Sequence, residues 1–143
     1  MVKILFMVDD DQDDREIFKE AITHCNPDIE LLFAQDGLQA LEILNSGIPL
    51  PDMIFLDYNM PRMNGSECLK RLKADSKTKH IPTIIYTTSG DREQEKVILL
   101  LGADYYLQKT TSFKQLCDEL DHLIKSVENT DGSNHNRPLS RKQ

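Results

Sequence analysis

Five short apolar runs, each followed by a segment with helical spacing, constrain this chain more than any other feature. The runs are residues 4–8, 31–34, 53–56, 83–87 and 105–107. The first, third and fourth are apolar on both alternating faces, the pattern of strands covered from both sides. Between them lie helical stripes: Ile17, Phe18, Ala21 and Ile22; Leu38, Leu41 and Leu44; Cys68, Leu69 and Leu72; Val97, Ile98 and Leu101. A fifth stripe steps by three and four through Phe113, Leu116, Cys117, Leu120, Leu123, Ile124 and Val127. Gly37 and Gly65 stand at helix starts and Gly102 follows the fourth helix. Alternating strands and helices with right-handed crossovers predict an α/β fold, a doubly wound five-stranded parallel sheet flanked by five helices.

With 143 residues there is room for one such domain and little beyond it. The domain is expected over 1–127. Residues 128–143 are expected to form a flexible polar tail, since NTDGSNHNRPLSRKQ offers one aliphatic residue, Leu139, to a core. Such a tail is too short to be a DNA-binding module. The formal charge of −7 argues against binding nucleic acid or anionic lipid, because an acidic surface repels both. The opening apolar run is too short for a signal-peptide core or a membrane span, so a cytoplasmic protein is expected. Cys25, Cys68 and Cys117 are odd in number and widely spaced, which reads as small apolar residues in helices and not as a disulfide or zinc framework.

The strand pattern places carboxylates together. Asp9 and Asp10 leave the first run and Asp57 leaves the third. In an open parallel sheet, residues leaving the C-terminal strand ends line one shared crevice. Three carboxylates crowded there resist ionisation unless a cation joins them, and hard oxygen donors with room for water suit Mg²⁺. Asp11, Asp13 and Asp14 read instead as N-terminal helix charges. Thr87 ends the fourth run and Lys109 follows the fifth. A carboxylate nucleophile that accepts a phosphoryl group needs in-line placement and neutralisation of the equatorial oxygens. A cation, a hydroxyl donor and an ammonium supply that neutralisation.

Four segments carry a family likeness: MVDD at 7–10, FLDYNMPRMNG at 55–65, PTIIYTTSG at 82–90 and GADYYLQK at 102–109. In order and spacing they resemble the receiver domain of response regulators, most of all its single-domain, chemotaxis-type members. The resemblance spans roughly 1–127. It implies the flavodoxin-like strand order 2-1-3-4-5. It also implies phosphoacceptance at Asp57, Mg²⁺ held by Asp9, Asp10, Asp57 and the backbone carbonyl of Asn59, a switch hydroxyl in Thr87 and a phosphate-pairing Lys109. Tyr106 matches the aromatic whose ring turns inward on activation. The implied partners are a sensor histidine kinase or histidine phosphotransfer protein and a protein effector, with phosphoryl acceptance as a signalling event and not as enzyme turnover.

Two positions depart from the family pattern. Thr110 follows Lys109 where proline is usual, and a non-proline cis bond costs about 3 kcal/mol, so a trans bond is expected. Thr88 stands where a very small residue is usual, and its methyl is expected to narrow the entrance to the site. Two other readings share parts of the pattern. An aspartyl-phosphate phosphatase also pairs Asp, Mg²⁺ and Lys, but it places a general acid two residues beyond the nucleophile, where this chain has Asn59, which cannot act as an acid. A phosphorylation-independent interaction module would keep the fold while losing part of the acidic set, and this chain has the whole set.

Overall fold

The computed structural model describes residues 1–130. Strands β1 (Ile4–Val8), β2 (Glu30–Ala34), β3 (Met53–Leu56), β4 (Thr83–Thr87) and β5 (Tyr105–Gln108) alternate with helices α1 (Gln12–Cys25), α2 (Gly37–Leu44), α3 (Gly65–Ala74), α4 (Arg92–Leu100) and α5 (Phe113–Asn129). Each helix begins where a short polar side chain (Asp11, Asp36, Asn64, Asp91 or Ser112) accepts a hydrogen bond from a first-turn N–H that has no helical partner. Asp11 is therefore the expected helix starter.

All strand pairs are parallel and the order is β2-β1-β3-β4-β5, as expected. Period-two alternation divides β1 between two cores. Leu5 and Met7 face α1 and α5, packing with Phe18, Ile22, Leu116 and Leu120. Phe6 and Val8 face the other way, toward Leu44, Cys68, Leu69, Leu72 and Ile98 of α2, α3 and α4. Strands buried on both faces cannot alternate apolar with polar, which explains the continuous runs. The ring of Phe18 meets Phe55 edge-on at 4.9 Å between centroids, locking α1 to the centre of the sheet. Ile17, Leu38, Val97 and Phe113 belong to the predicted stripes but are exposed at the edges of the buried faces.

The cysteines are free thiols in helices, as expected. Burial pushes Cys68 up to about 12 and Cys25 up to about 11, so both are protonated and inert at neutral pH. Helix α5 runs through Asn129, and the Glu128 carboxylate accepts the Val2 N–H at 2.9 Å, tying the last turn to the start of the chain. The rest of the expected tail, residues 131–143, lies outside the described residues.

Candidate functional site

The sheet order turns back at β1. The chain leaves β1 toward β2 on one side and later returns to β3 on the other, which opens a crevice beyond the C-terminal ends of β1 and β3. Asp9 and Asp57 stand at those two ends. The Asp57 N–H donates to the Val8 carbonyl at 2.9 Å, which extends the β1–β3 ladder by one rung and fixes the direction of the Asp57 side chain. On the far side of β1, the Asp9 N–H donates to the Ala34 carbonyl at 3.0 Å. Donor oxygens of Asp9, Asp10 and Asp57 lie within 4.8 Å of one another, so the three expected carboxylates do converge.

Helix α3 presses on the acceptor from the other side. The Gly65 N–H donates to the Tyr58 carbonyl at 2.8 Å. A Cβ at Gly65 would lie 2.4 Å from the Asp57 carbonyl oxygen and 2.8 Å from the Tyr58 Cα. Only glycine lets the helix start this close to the acceptor's backbone. The loop between them, which carries exposed Asn59, passes through Arg62 at φ 66°. A left-handed conformation of this kind costs a non-glycine residue roughly 1 kcal/mol or more. The Arg62 guanidinium pairs with the carboxylate of Asp36, the starter of α2, and so ties the loop to that helix.

Lys109 completes the cluster. Its ammonium lies 2.7 Å from Asp9 Oδ2, 2.8 Å from Asp14 Oδ2 and 3.8 Å from Asp57 Oδ1, and 5.4 Å from the centre of the Tyr86 ring. The Lys109–Thr110 bond is trans, as expected, and the Lys109 N–H donates to the Thr87 carbonyl at 2.7 Å. Thr87 is fully buried at the end of β4. Thr88 is exposed, and its carbonyl accepts from Gln108 Nε2 at 3.2 Å.

Electrostatics follow from this crowding. Burial pushes the Asp57 carboxyl up to about 7; Lys109 opposes the shift, while Asp9 and Asp10 add to it. Burial also raises Asp9, against the hydrogen bonds it accepts from Lys109 and from the Asp11 N–H. For Lys109, burial works against the ammonium, but Asp14, Asp9 and Asp57 outweigh it and hold its pKa above the usual lysine range. The site therefore carries three metal-competent carboxylates beside one ammonium. A hard divalent cation with oxygen ligands fits that donor set, since it would offset the charge that burial penalises.

Tyr106 lies apart from the carboxylates, on the sheet face covered by α4. Its ring is 2% exposed and already inward in this structure. The hydroxyl donates to the Ser89 carbonyl at 3.0 Å and accepts from Gln94 Nε2 at 3.1 Å. The Ser89 N–H in turn donates to Thr87 Oγ1 at 3.4 Å, so one residue links the buried hydroxyl to the ring.

Sequence reasoning missed Asp14, Gly65 and Arg62 as parts of the site. Asp14 was read only as a helix-start charge, yet it lies in the first turn after a strand-end carboxylate. That spacing was the available signal that it shares the same sheet edge. For the Arg62–Asp36 pair, separated by 26 residues, no local signal existed.

Comparison with known proteins places the chain in a family. Residues 5–121 match the family described as the response regulator receiver domain. Response regulator Rcp1 of Synechocystis is 30% identical over 119 residues, covering 80% of this chain and 81% of that protein. Chemotaxis protein CheY1 of Helicobacter pylori is 32% identical over 120 residues, covering 84% of this chain and 95% of that protein. Among solved structures, the phosphorylated cyanobacterial phytochrome response regulator RcpA superposes with a TM-score of 0.77 at 27% identity, covering 91% of this chain and 94% of that one. The Mn²⁺-bound form of Rcp1 gives 0.73 at 26% identity, covering 98% and 99%.

Proposed function

The chain belongs to the response regulator receiver family, and on that premise we propose that it acts as a response regulator whose Asp57 accepts a phosphoryl group. The observation that carries this reading is the convergence of Asp9, Asp10 and Asp57 within 4.8 Å, with the Lys109 ammonium 3.8 Å from the Asp57 carboxylate. The donor is a phosphohistidine of a sensor kinase or of a phosphotransfer protein. The Asp57 carboxylate oxygen forms the new P–O bond as the P–N bond breaks, and the imidazole leaves with the electron pair of that bond.

Asp9, Asp10 and Asp57, with the backbone carbonyl of Asn59, are the residues that would hold Mg²⁺. When bound, the ion supplies positive charge that keeps Asp57 ionised and offsets charge on the transferring group. The chain's own residues do the rest. Asp57 is pre-aimed by its bond to Val8, and Gly65 lets α3 buttress its backbone. Lys109 stands ready to pair with a phosphoryl oxygen, and the Thr87 hydroxyl is the second group to respond to the new charge. The link Thr87–Ser89–Tyr106–Gln94 supports passage of that response to α4 and hence to a protein effector, by a shift between two conformers.

No helix among the described residues is long and apolar enough to cross a membrane; a cytoplasmic location is part of the proposal. The test is incubation with acetyl phosphate and Mg²⁺, followed by intact mass and peptide mapping. A gain of one phosphoryl group on the peptide containing Asp57, abolished in Asp57→Asn, is the expected result. An adduct that persists on the variant at another residue would overturn the assignment.

A further inference from the structure

Among the described residues, Asp14 is a carboxylate aimed into the site that has no part in the metal-competent cluster. It lies in the first turn of α1, its side chain about one-third exposed, and its Oδ2 accepts from the Lys109 ammonium at 2.8 Å. Asp9 takes a second direction of the same ammonium at 2.7 Å. Asp57, the proposed acceptor, stands farther away at 3.8 Å, beyond hydrogen-bond distance. A helix-start charge acting only on the dipole has no need of this contact, and Asp11 and Asp13 already supply acidic residues at that end.

We propose that Asp14 is a positioning residue: it holds Lys109 in the unphosphorylated state and competes with the phosphoryl group on Asp57 for that ammonium. This inference rests on the receiver reading above and adds to it a determinant of the resting state. An ammonium has three donor directions. Two are taken by Asp9 and Asp14, which hold the ammonium 3.8 Å from Asp57; bringing the third within hydrogen-bond distance of a new oxyanion there draws the ammonium toward Asp57 and lengthens one of the two existing bonds. Asp9 is fully buried and shares the acidic cluster, whereas Asp14 sits at the rim, where water can replace its lost partner at low cost. The exchange therefore falls on Asp14. Charge-assisted contacts at partly exposed sites change such equilibria by up to about fivefold.

The experiment titrates beryllofluoride, with Mg²⁺ present, into the full chain and follows the amide chemical shifts of Thr87 and Tyr106. The bound adduct on Asp57 is read independently by ¹⁹F NMR. In Asp14→Asn the half-saturating concentration is expected to fall about fivefold. Asp13→Asn, which removes the same charge from the same turn, and Asp14→Glu, which restores the carboxylate, are both expected to stay within about twofold of wild type. In the free protein, the ¹⁵Nζ–H signal of Lys109 is expected to be protected from exchange in wild type and to broaden in Asp14→Asn. If the adduct forms on wild type but Asp14→Asn switches at the same or a higher concentration, the role of Asp14 is refuted and the receiver reading stands. If wild type forms no adduct on Asp57, both fall.

Discussion

Replacing Asp57 with Asn removes a carboxylate that the metal-free fold holds at an energetic cost, so the variant is expected to be more stable than wild type. The carboxyl is 9% exposed in its side chain and is pushed up to about 7 from an ordinary value of 3.8. Between those values the folded state binds more protons at Asp57 than the unfolded state does. Wild-type stability therefore falls as pH rises from about 4 to about 7, and is flat above. A shift of about three units sets a ceiling of about 4 kcal/mol. Rearrangement of the Lys109 cage and ingress of water reduce what is realised, and about 2–3 kcal/mol is expected at pH 8, or roughly 6–12 °C in thermal midpoint. At pH 5 the native carboxyl is protonated while the unfolded one is largely ionised, so the advantage shrinks to about 1 kcal/mol. Near pH 4 it vanishes. The assay is urea denaturation followed by circular dichroism at pH 5 and pH 8, with a chelator present. Equal gains at both pH values, or a less stable variant at pH 8, would refute the assignment of burial and like charge as the source of the shift.

Asp10→Asn is expected to abolish Mg²⁺ binding, read by isothermal titration, while leaving the far-ultraviolet spectrum unchanged; undiminished affinity would remove Asp10 from the metal set. Lys109→Ala is expected to accept phosphate slowly from acetyl phosphate yet fail to shift the Thr87 and Tyr106 amides, and full switching in that variant would leave Thr87 as the sole coupling group. Gly65→Ala forces a Cβ to 2.4 Å from the Asp57 carbonyl oxygen, so the start of α3 must move. A loss of about 2–3 kcal/mol in denaturation or a tenfold slower phosphorylation is expected, and a variant equal to wild type in both would contradict the close approach. Removing residues 131–143, which hold only Leu139 as an aliphatic side chain, is expected to leave the thermal midpoint and phosphorylation rate within error of the full chain; a drop of many degrees would show that they dock on the domain.

The sequence by itself determined what depends on local pattern. Continuous apolar runs such as Ile4–Val8 and Thr83–Thr87 mark strands covered on both faces, and their ends name Asp9, Asp57 and Thr87 as residues of one sheet edge. Helix positions follow from three–four spacing and from starters such as Asp11 and Asn64. These features were legible because period and strand end are properties of neighbouring residues. Side-chain direction and long-range pairing are not local properties, and these the tertiary structure decided. It turned Asp14 from a helix-start charge into a partner of Lys109, 95 residues away. It set Gly65 against the acceptor's backbone and paired Arg62 with Asp36. It seated Tyr106 inward against Ser89 and Gln94, a rotamer that no periodicity specifies. It also tied the last turn of α5, at Glu128, to the Val2 N–H across 126 residues. A backbone pattern says which edge a side chain leaves from; which group it meets depends on how helices pack over that edge, and packing exists only once the whole sheet has formed.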